Sequence, residues 1–257
     1  MKYWGYLKDR VPFITIRKRR KRASKWLNEA RLEDGFLSFS TTDLALPNNE
    51  LFYRVAKPVI EAGRTLLKYD RLYVLWQAAR NVYHMQLAAA EVGSYHGGSA
   101  YFLASALKAL TGVELPFHVF DTFEGHPPKT DPKIDPVHKP GMFSDTSYED
   151  VKAYLSPFTR LEIHKGEFSD SVQSLREATF GLAHIDVDIY RSTLDCLEYF
   201  GARLASGGII VIDDYGAEKC PGVQRAVSEY LHREDRFQVW HMRTEQVILV
   251  KKTFEGS

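Results

Sequence analysis

Short apolar runs alternate with amphipathic segments over the last two thirds of the chain. The first run, Ala88–Ala90, ends at an acidic residue and a glycine and passes into a helix-compatible segment. Apolar runs of strand length followed by segments of helical period predict repeated strand–helix units. Later strands are predicted at Leu115–Phe120, Leu161–His164, Gly181–Val187, Ile209–Ile212, Phe237–His241 and Val247–Val250, and helices at Tyr148–Leu155, Ser169–Ala178, Thr193–Leu204 and Val223–Leu231.

The order of these elements predicts an α/β fold. Five strand–helix units imply a mostly parallel, doubly wound sheet, and the last two strands are close enough to form an antiparallel hairpin. The sheet then has seven strands. Its ligand crevice is expected at the carboxyl ends of the parallel strands.

Residues 1–70 have a different pattern, with little strand alternation and no glycine loop. Helices are predicted at Lys18–Ala30 and Glu50–Leu67, and Phe36–Asn49 is predicted to be a loop. A further helix, Asp70–Tyr83, is expected to pack against the sheet. We therefore divide the chain into a helical N-terminal extension or cap, residues 1–70, and a ligand-binding domain, residues 71–257.

The composition is that of a soluble globular protein. Among 257 residues, 44% are hydrophobic and 26% are charged, and the formal net charge is only +1, so no overall charge favours a nucleic-acid partner. The basic run Arg17–Arg22 is the exception. A solvated helix face and a contact for anionic lipid or a phosphorylated substrate both account for it.

Cysteine usage and hydropathy indicate a cytoplasmic protein. Cys196 and Cys220 have no metal-site spacing, and two cysteines do not form a disulfide framework. No apolar stretch reaches the roughly 18 residues of a transmembrane segment, and the N-terminus lacks the apolar core of a signal peptide. The partner is then expected to be a small molecule. The sequence leaves a homo-oligomer open.

A glycine-spaced turn follows the first strand. Its spacing, Glu91-x-Gly93-x-x-x-Gly97, is not the Gly-x-Gly-x-x-Gly that dinucleotide binders use to approach a pyrophosphate. Glycines here free backbone N–H groups at a helix start, which suits the carboxylate and amine of an amino-acid-like cofactor. A plain strand–helix connection would have the same glycines.

Acidic residues follow four of the predicted parallel strands. Because the carboxyl ends of parallel strands meet at one edge, these side chains are expected to converge, although like charges in a cleft repel. They are Glu91, Asp121, Asp186, Asp188, Asp213 and Asp214. Asp121 has the position of a carboxylate that binds both hydroxyls of a ribose, whereas a simple turn residue is the alternative.

Two acidic pairs end adjacent strands and predict a metal site. Asp186 and Asp188 share a face because they are two residues apart, and Asp213 and Asp214 end the next strand. Oxygens from Asp186, Asp213 and Asp214 are the donors that Mg²⁺ prefers. Helix capping and solvated strand ends would also explain such doublets.

Between the second strand and the next helix, the segment His126–Met142 contains five of the eleven prolines and predicts a lid or substrate loop. His126 in this loop is either an alternative base or, more simply, a solvated loop histidine. His184 lies inside a predicted strand and is expected to be a satisfied core histidine. Glu167 and Phe168, after the third strand, can flank an adenine ring.

Four motifs in order resemble the macrocin O-methyltransferase family. They are Glu91-Val-Gly93-Ser-Tyr-His-Gly97-Gly98-Ser99, Phe120-Asp121-Thr-Phe-Glu-Gly125-His-Pro127, His184-Ile-Asp186-Val-Asp188-Ile-Tyr190-Arg-Ser-Thr193 and Gly207-Gly208-Ile-Ile-Val-Ile-Asp213-Asp214-Tyr215-Gly216. The resemblance covers about residues 85–232 and implies a Rossmann-like, class I S-adenosylmethionine-dependent methyltransferase fold. About 80 N-terminal residues carry no motif of the family.

The resemblance implies a set of site residues and a reaction. It implies a magnesium ion held by Asp186, Asp213 and Asp214, and Asp188 as the general base, with Asp186 sharing that role. The cofactor residues it implies are Glu91, Gly93, Ser94, Tyr95, Gly97, Ser99, Asp121, Thr122 and Phe123. Glu167 and Phe168, which can flank the adenine, complete the predicted cofactor site.

The implied reaction is magnesium-assisted O-methylation of a sugar or sugar-containing small molecule, in natural-product or polysaccharide biosynthesis. Coordination of a hydroxyl to Mg²⁺ lowers its pKa, and a nearby carboxylate can accept its proton. A phenolic or catechol acceptor is the nearest alternative. A nicotinamide oxidoreductase and a non-catalytic binding protein recruited by the basic N-terminus are the others, and the glycine spacing argues against the oxidoreductase.

Overall fold

The computed structural model describes residues 30–33, 36–39, 50–128, 130–175 and 178–253. The chain divides into two compact units between residues 46 and 47. Residues 18–29 of the predicted helix Lys18–Ala30 lie outside the described residues. The domain boundary at residue 70 stays a prediction.

The first unit contains a two-stranded hairpin. Strand β1 (Ala30–Glu33) pairs antiparallel with β2 (Phe36–Phe39). The prediction of a loop beginning at Phe36 is therefore wrong for these four residues, and Ala30 lies in a strand rather than a helix. The sequence Asp34-Gly35 between the two strands is a strong hairpin signal, which outweighs the helical period on its N-terminal side.

A seven-stranded sheet forms the centre of the second unit. Its order is β5-β4-β3-β6-β7-β9-β8, with parallel pairing from β5 to β7 and antiparallel pairing of β9 with both β7 and β8. The predicted sheet and its C-terminal hairpin are confirmed. The strands are β3 (Ala88–Val92), β4 (Phe117–Asp121), β5 (Leu161–Lys165), β6 (Phe180–Ile185), β7 (Leu204–Ile212), β8 (Phe237–His241) and β9 (Val247–Lys251).

The helices lie between these strands, as the alternating pattern predicts. Ser147 caps the helix after the proline-rich loop, because its hydroxyl accepts a hydrogen bond from the Asp150 N–H. The helices are α1 (Glu50–Glu61), α2 (Tyr69–Val82), α3 (Gly98–Thr111), α4 (Tyr148–Leu155), α5 (Phe168–Ser171), α6 (Tyr190–Arg203) and α7 (Pro221–Arg233), with 3₁₀ turns at Tyr83–Met85 and Val172–Leu175.

Two helix predictions differ from the structure. Helix α1 ends at Glu61 rather than Leu67, since Gly63 adopts a positive φ of 64° just beyond it. Leu66 and Leu67 therefore lie in the connection between α1 and α2 and not in a helix. The predicted helix Ser169–Ala178 is instead the short α5 followed by a 3₁₀ turn.

Packing of helices against the sheet builds the core. Helices α1, α2 and α3 contact one another, and α2 contacts β6 and β7. Helix α6 packs closely on α7, since a Cβ at Gly201 would lie 1.8 Å from the Tyr230 hydroxyl oxygen. The central strands are apolar and buried, as strands covered on both faces require. The carboxyl ends of β3, β4, β6 and β7 therefore have a fixed relative position.

Length and hydropathy of the helices were compared with those of membrane spans. No helix among residues 50–128, 130–175 and 178–253 is both long enough and apolar enough to span a membrane.

Candidate functional site

A cavity of about 330 Å³ lies at the carboxyl ends of the parallel strands. This volume is within the range of small-molecule sites. The residues that line it include Leu66, Leu67, Arg71, Gly93, Tyr95, Asp121, Thr122, His126, Phe143, Glu167, Phe168, Asp186, Asp188, Arg191 and Asp214. Four of the six acidic residues predicted at the strand ends and the aromatic residue after β5 thus meet at one cavity, whereas Glu91 and Asp213 are not among the described residues that line it.

Close approach of two strands explains the glycine after β3. Gly93 has a φ of 87°, and a Cβ at this position would lie 1.8 Å from the backbone oxygen of Asp186. The Gly93 N–H donates to the Phe120 carbonyl at 2.9 Å. Only glycine fits a position with both constraints. The turn after β3 is thereby held against the ends of β4 and β6.

Asp121 faces the glycine turn, as the sequence predicts. Its Oδ2 accepts hydrogen bonds of 2.8 Å from the N–H groups of both Ser94 and Tyr95, and its Oδ1 accepts one from Phe123 N–H. Burial raises the pKa of Asp121, while these three backbone donors oppose the rise. The carboxylate therefore orders the turn at the cavity wall.

The predicted cofactor residues divide into two groups. Gly93, Tyr95, Asp121, Thr122, Glu167 and Phe168 line the cavity. Glu91, Ser94, Gly97, Ser99 and Phe123 are not among the described residues that line it, although Ser94 and Phe123 bond Asp121 from behind. Their role as cofactor residues stays a prediction.

A buried chain of hydrogen bonds links three strands behind the cavity. His184 Nδ1 donates to Glu91 Oε1 at 2.8 Å, and its Nε2 donates to Asp213 Oδ2 at 2.9 Å; all three side chains have no exposed surface. Burial lowers the pKa of His184, but the two carboxylates outweigh it and raise the pKa to about 10. His184 is thus the satisfied core histidine that the sequence predicts, and it is an imidazolium.

Arg71 of α2 binds the acidic pair that follows β7. Its Nη1 donates to Asp213 Oδ1 at 2.6 Å and to Asp214 Oδ1 at 2.9 Å, and its Nη2 pairs with Glu245. Asp213 also accepts a hydrogen bond of 2.9 Å from the Gln246 side chain. Both oxygens of Asp213 therefore have charged partners.

Four carboxylates crowd the floor of the cavity. Burial, followed by the charge of Asp213, raises the pKa of Asp186 well above its usual value. Burial and the neighbouring Asp214 do the same for Asp188. For Asp213, burial alone would raise the pKa, but the hydrogen bond from His184 and the charge of Arg71 lower it. Four ionised carboxylates would exceed the charge of His184 and Arg71, and the raised pKa values of Asp186 and Asp188 reflect burial together with that repulsion.

Possible metal ligands lie close together here. Two groups of described residues on this side of the sheet have ligand atoms within 4.8 Å of one another: His184 with Asp186 and Asp213, and Asp188 with Asp214 and Cys220. The predicted set Asp186, Asp213 and Asp214 is not one of these groups, and His184 as an imidazolium has no free lone pair for a cation. Carboxylate oxygens suit Mg²⁺. Arg71 bonds one oxygen of Asp213 and one of Asp214, so the arginine would compete with a cation for these carboxylates.

The proline-rich loop forms one wall of the cavity. Its ends are joined by hydrogen bonds between the backbones of His126 and both Met142 and Gly141 at 2.9 Å. Asp135, buried inside it, accepts a hydrogen bond of 3.0 Å from the first N–H of α6. The loop is thus attached to the sheet domain at both its base and its middle.

His126 is placed at the cavity rather than in solvent. Its Nε2 lies 3.7 Å from Asp188 Oδ2 and 2.9 Å from His138 Nδ1. His138 Nε2 is 3.1 Å from the Lys219 carbonyl, which can only accept, so His138 Nδ1 accepts the proton of His126. Burial, then His138, lowers the pKa of His126 to about 4. A neutral His126 therefore lies beside Asp188.

Strained backbone occurs around the same cavity. Tyr95, Phe143, Asp188 and Asp214 all line it, and all have φ values between 49° and 64°. Non-glycine residues rarely adopt this region, and such strain is concentrated at functional sites. The two aspartates are therefore held in position by the surrounding structure.

Several cavity residues have no signal in the sequence. Arg71 lies on a helix whose period indicates only packing, and its partners are 142 and 143 residues away. Leu66 and Phe143 line the cavity, yet the Leu66 side chain is 71% exposed and Phe143 is 37% exposed. These apolar residues at the cavity rim provide a contact surface for a bound molecule.

The comparisons with known proteins agree on one family. The sequence profile of the family described as macrocin-O-methyltransferase (TylF) matches residues 52–242. The chain is similar to an 8-demethyl-8-(2,3-dimethoxy-alpha-L-rhamnosyl)-tetracenomycin-C 4'-O-methyltransferase of Streptomyces olivaceus, at 29% identity over 153 residues, which cover 56% of this chain and 57% of that protein.

A second relative is a mycinamicin III 3''-O-methyltransferase of Micromonospora griseorubida, at 29% identity over 154 residues, which cover 56% of this chain and 59% of that protein. The chain thus spans a little under three fifths of the length of these relatives.

Solved structures share the fold. The O-methyltransferase NovP has a TM-score of 0.66 at 22% identity, over 74% of this chain and 83% of that chain. A calicheamicin methyltransferase has a TM-score of 0.62 at 18% identity, over 93% and 94% of the two chains. These likenesses confirm the predicted class I methyltransferase fold of the sheet domain.

Proposed function

Since the chain belongs to the macrocin-O-methyltransferase (TylF) family, we propose that it transfers the methyl group of S-adenosylmethionine to a hydroxyl of a sugar or sugar-containing small molecule. The observation that carries this proposal is the meeting of the glycine turn, Asp121 and three clustered aspartates, Asp186, Asp188 and Asp214, at one cavity. Two relatives are named for O-methylation of a rhamnosyl compound and of mycinamicin III. The acceptor of this chain is proposed by analogy with them.

S-adenosylmethionine fits the wall formed by β3, β4 and the segment after β5. We assign the cofactor's amino-acid end to the turn at Gly93, its ribose to Asp121, and its adenine to Glu167 and Phe168. Phe168 packs edge-on against Phe120 at 5.1 Å between ring centroids, which fixes its ring. Carboxylates at the opposite end of the cavity favour a donor that carries a positive sulfonium charge.

Asp186, Asp213 and Asp214 are proposed to hold Mg²⁺. This proposal is supported by the donor type, since all three residues supply only oxygen, and by their places at the ends of the adjacent strands β6 and β7. When bound, the ion would lower the pKa of an acceptor hydroxyl and orient it. Arg71 then shifts its hydrogen bonding toward Glu245, with which it already pairs.

Asp188 is proposed as the general base. Its pKa is raised by burial and by Asp214, which makes its carboxylate a stronger proton acceptor than an exposed aspartate. Because His126 is neutral, it does not form an ion pair with the Asp188 carboxylate and so does not lower the pKa of Asp188. Asp186 lies in the same cluster and can share the proton. Methyl transfer itself needs only that the acceptor oxygen and the methyl carbon be held in line.

Calorimetric titration and mass spectrometry test this proposal. S-adenosylhomocysteine is expected to bind and NAD is not. Incubation with S-adenosylmethionine, Mg²⁺ and a panel of glycosides, nucleotide sugars and catechols is expected to add one methyl group to a sugar. Binding of neither cofactor would overturn the enzyme assignment. Methylation confined to catechols would overturn the assignment of a sugar acceptor. Full activity in excess EDTA would overturn the proposed role of Mg²⁺.

A further inference from the structure

A second group of metal-ligating side chains lies at the edge of the sheet, away from the cavity. Strand β5 is the edge strand, and it pairs with β4 so that His118 is opposite Glu162 and Phe120 is opposite His164. Residues two apart on a strand share a face, so His118, Glu162 and His164 all project from the same face of the sheet. None of the three is among the described residues that line the cavity.

The distances between the three donor atoms fit a single ion. His118 Nδ1 lies 3.2 Å from His164 Nε2, and Glu162 Oε2 lies 3.8 Å from the first nitrogen and 4.0 Å from the second. In a triangle with these sides, the point equidistant from the corners is about 2.1 Å from each. Zinc–nitrogen and zinc–oxygen bonds in proteins are about 2.0–2.2 Å long.

The two imidazoles are held in place before any ion binds. The His164 ring stacks on Phe120 with 4.5 Å between centroids and 16° between planes, and the His118 side chain is 9% exposed. Burial lowers the pKa of both histidines, which favours the neutral imidazole that ligates metal ions. The Glu162 side chain is 67% exposed and can close on the pair from solvent. With Glu162 moved slightly inward, an ion out of the plane of the three donors would have a fourth position for water.

We propose that His118, Glu162 and His164 form a binding site for one transition-metal ion of the zinc type. Two imidazoles and a carboxylate favour such an ion over Mg²⁺, which prefers oxygen ligands throughout. The ion fastens β5 to β4. Because Asp121 follows β4 and Glu167 follows β5, it also steadies the strand ends that form the cofactor wall of the cavity.

Cobalt and zinc titrations of the full chain test the site. The protein is first stripped with a chelator, then held in saturating Mg²⁺ to fill any oxygen-donor site. Co²⁺ is expected to give the visible absorption of a four-coordinate complex at one ion per chain, and Zn²⁺ is expected to displace it. No visible complex, or no Zn²⁺ binding in calorimetry, would overturn the proposal.

Variants locate the ion. Glu162→Gln and His164→Gln are expected to weaken Zn²⁺ binding about 100-fold or more, since loss of a direct ligand costs at least as much as loss of its supporting group. Glu162 is exposed, so its variant folds. Exposed Glu149→Gln and His84→Gln are matched controls and should bind normally.

A competing location is the group His126, His138 and Asp188, whose donor atoms also lie close together. His138→Gln is expected to leave the cobalt spectrum unchanged. Loss of the spectrum in this variant, with binding retained in Glu162→Gln, would place the ion there and overturn the assignment to the sheet edge. The proposal is independent of methyl transfer.

Discussion

Replacement of His184 by glutamine tests the buried charge chain behind the cavity. Glutamine has a similar size and can donate to one carboxylate, but it has no positive charge. Glu91 and Asp213 then remain without any exposed surface and without their shared cation. Removal of one partner from a buried ion pair typically costs about 3–5 kcal/mol.

The pKa of His184 gives an independent upper limit on the unfolding free energy that its positive charge contributes. A rise from 6.5 to about 10 corresponds to at most about 5 kcal/mol of unfolding free energy. Because the pKa is higher in the folded state, the stabilisation is complete below about pH 6.5, the value in the unfolded chain, and is lost as the pH rises through about 10.

Urea denaturation with EDTA present measures the effect without metal. His184→Gln is expected to lower the unfolding free energy by about 3–5 kcal/mol and the thermal midpoint by roughly 6–20 °C. The difference from the unchanged protein should shrink between pH 7 and pH 10. His232→Gln, on the exposed end of α7, is the control. A loss below about 1 kcal/mol, or one independent of pH, would refute the reasoning.

Three further changes test the site. Asp188→Asn is expected to lower kcat about 100-fold or more while leaving the Kd of S-adenosylhomocysteine unchanged, and unaltered turnover would exclude Asp188 as the base. Arg71→Gln is expected to tighten Mg²⁺ binding in calorimetry by about tenfold, because it frees oxygens of two carboxylates; weaker binding would show that the arginine supports the ion rather than competing with it. Gly93→Ala is expected to cost about 2–3 kcal/mol in urea denaturation, since its Cβ would lie 1.8 Å from a backbone oxygen, whereas Gly63→Ala, with a similar positive φ and open space around it, should cost about 1 kcal/mol. Equal losses for the two glycine variants would contradict the close approach of β3 and β6.

The sheet and the acidic floor of the cavity could be predicted from the sequence because both depend on local patterns. Apolar runs fix where strands form, and parallel strands bring Asp121, Asp186 and Asp214 to one edge whatever the connections between them. The turn after β3 also marks Gly93 locally, although the contact that excludes any other residue there is with the Asp186 backbone. The C-terminal hairpin follows from two short strands separated by a polar turn.

Contacts across long stretches of sequence could not be predicted. Arg71 reaches Asp213 only because α2 packs on β6 and β7, and no period in the helix marks one arginine as different from the others. Glu91 precedes a glycine turn, and this position in the sequence favours a role in ligand binding. In the structure, however, His184 on the neighbouring strand donates a hydrogen bond to one of its carboxylate oxygens. The hairpin of β1 and β2 differs in kind, since the Asp34-Gly35 turn signal between these two strands is local and lies in the sequence itself.

Arg71 also limits how the chain can be shortened. All four family motifs begin after residue 85, so a fragment starting there would keep every motif, although the family match itself begins at residue 52. It would nevertheless lack the guanidinium that joins Asp213, Asp214 and Glu245. A truncated protein intended for expression must therefore retain the helix that begins at Tyr69. Without that helix, the carboxylates at the cavity lose the positive charge of Arg71.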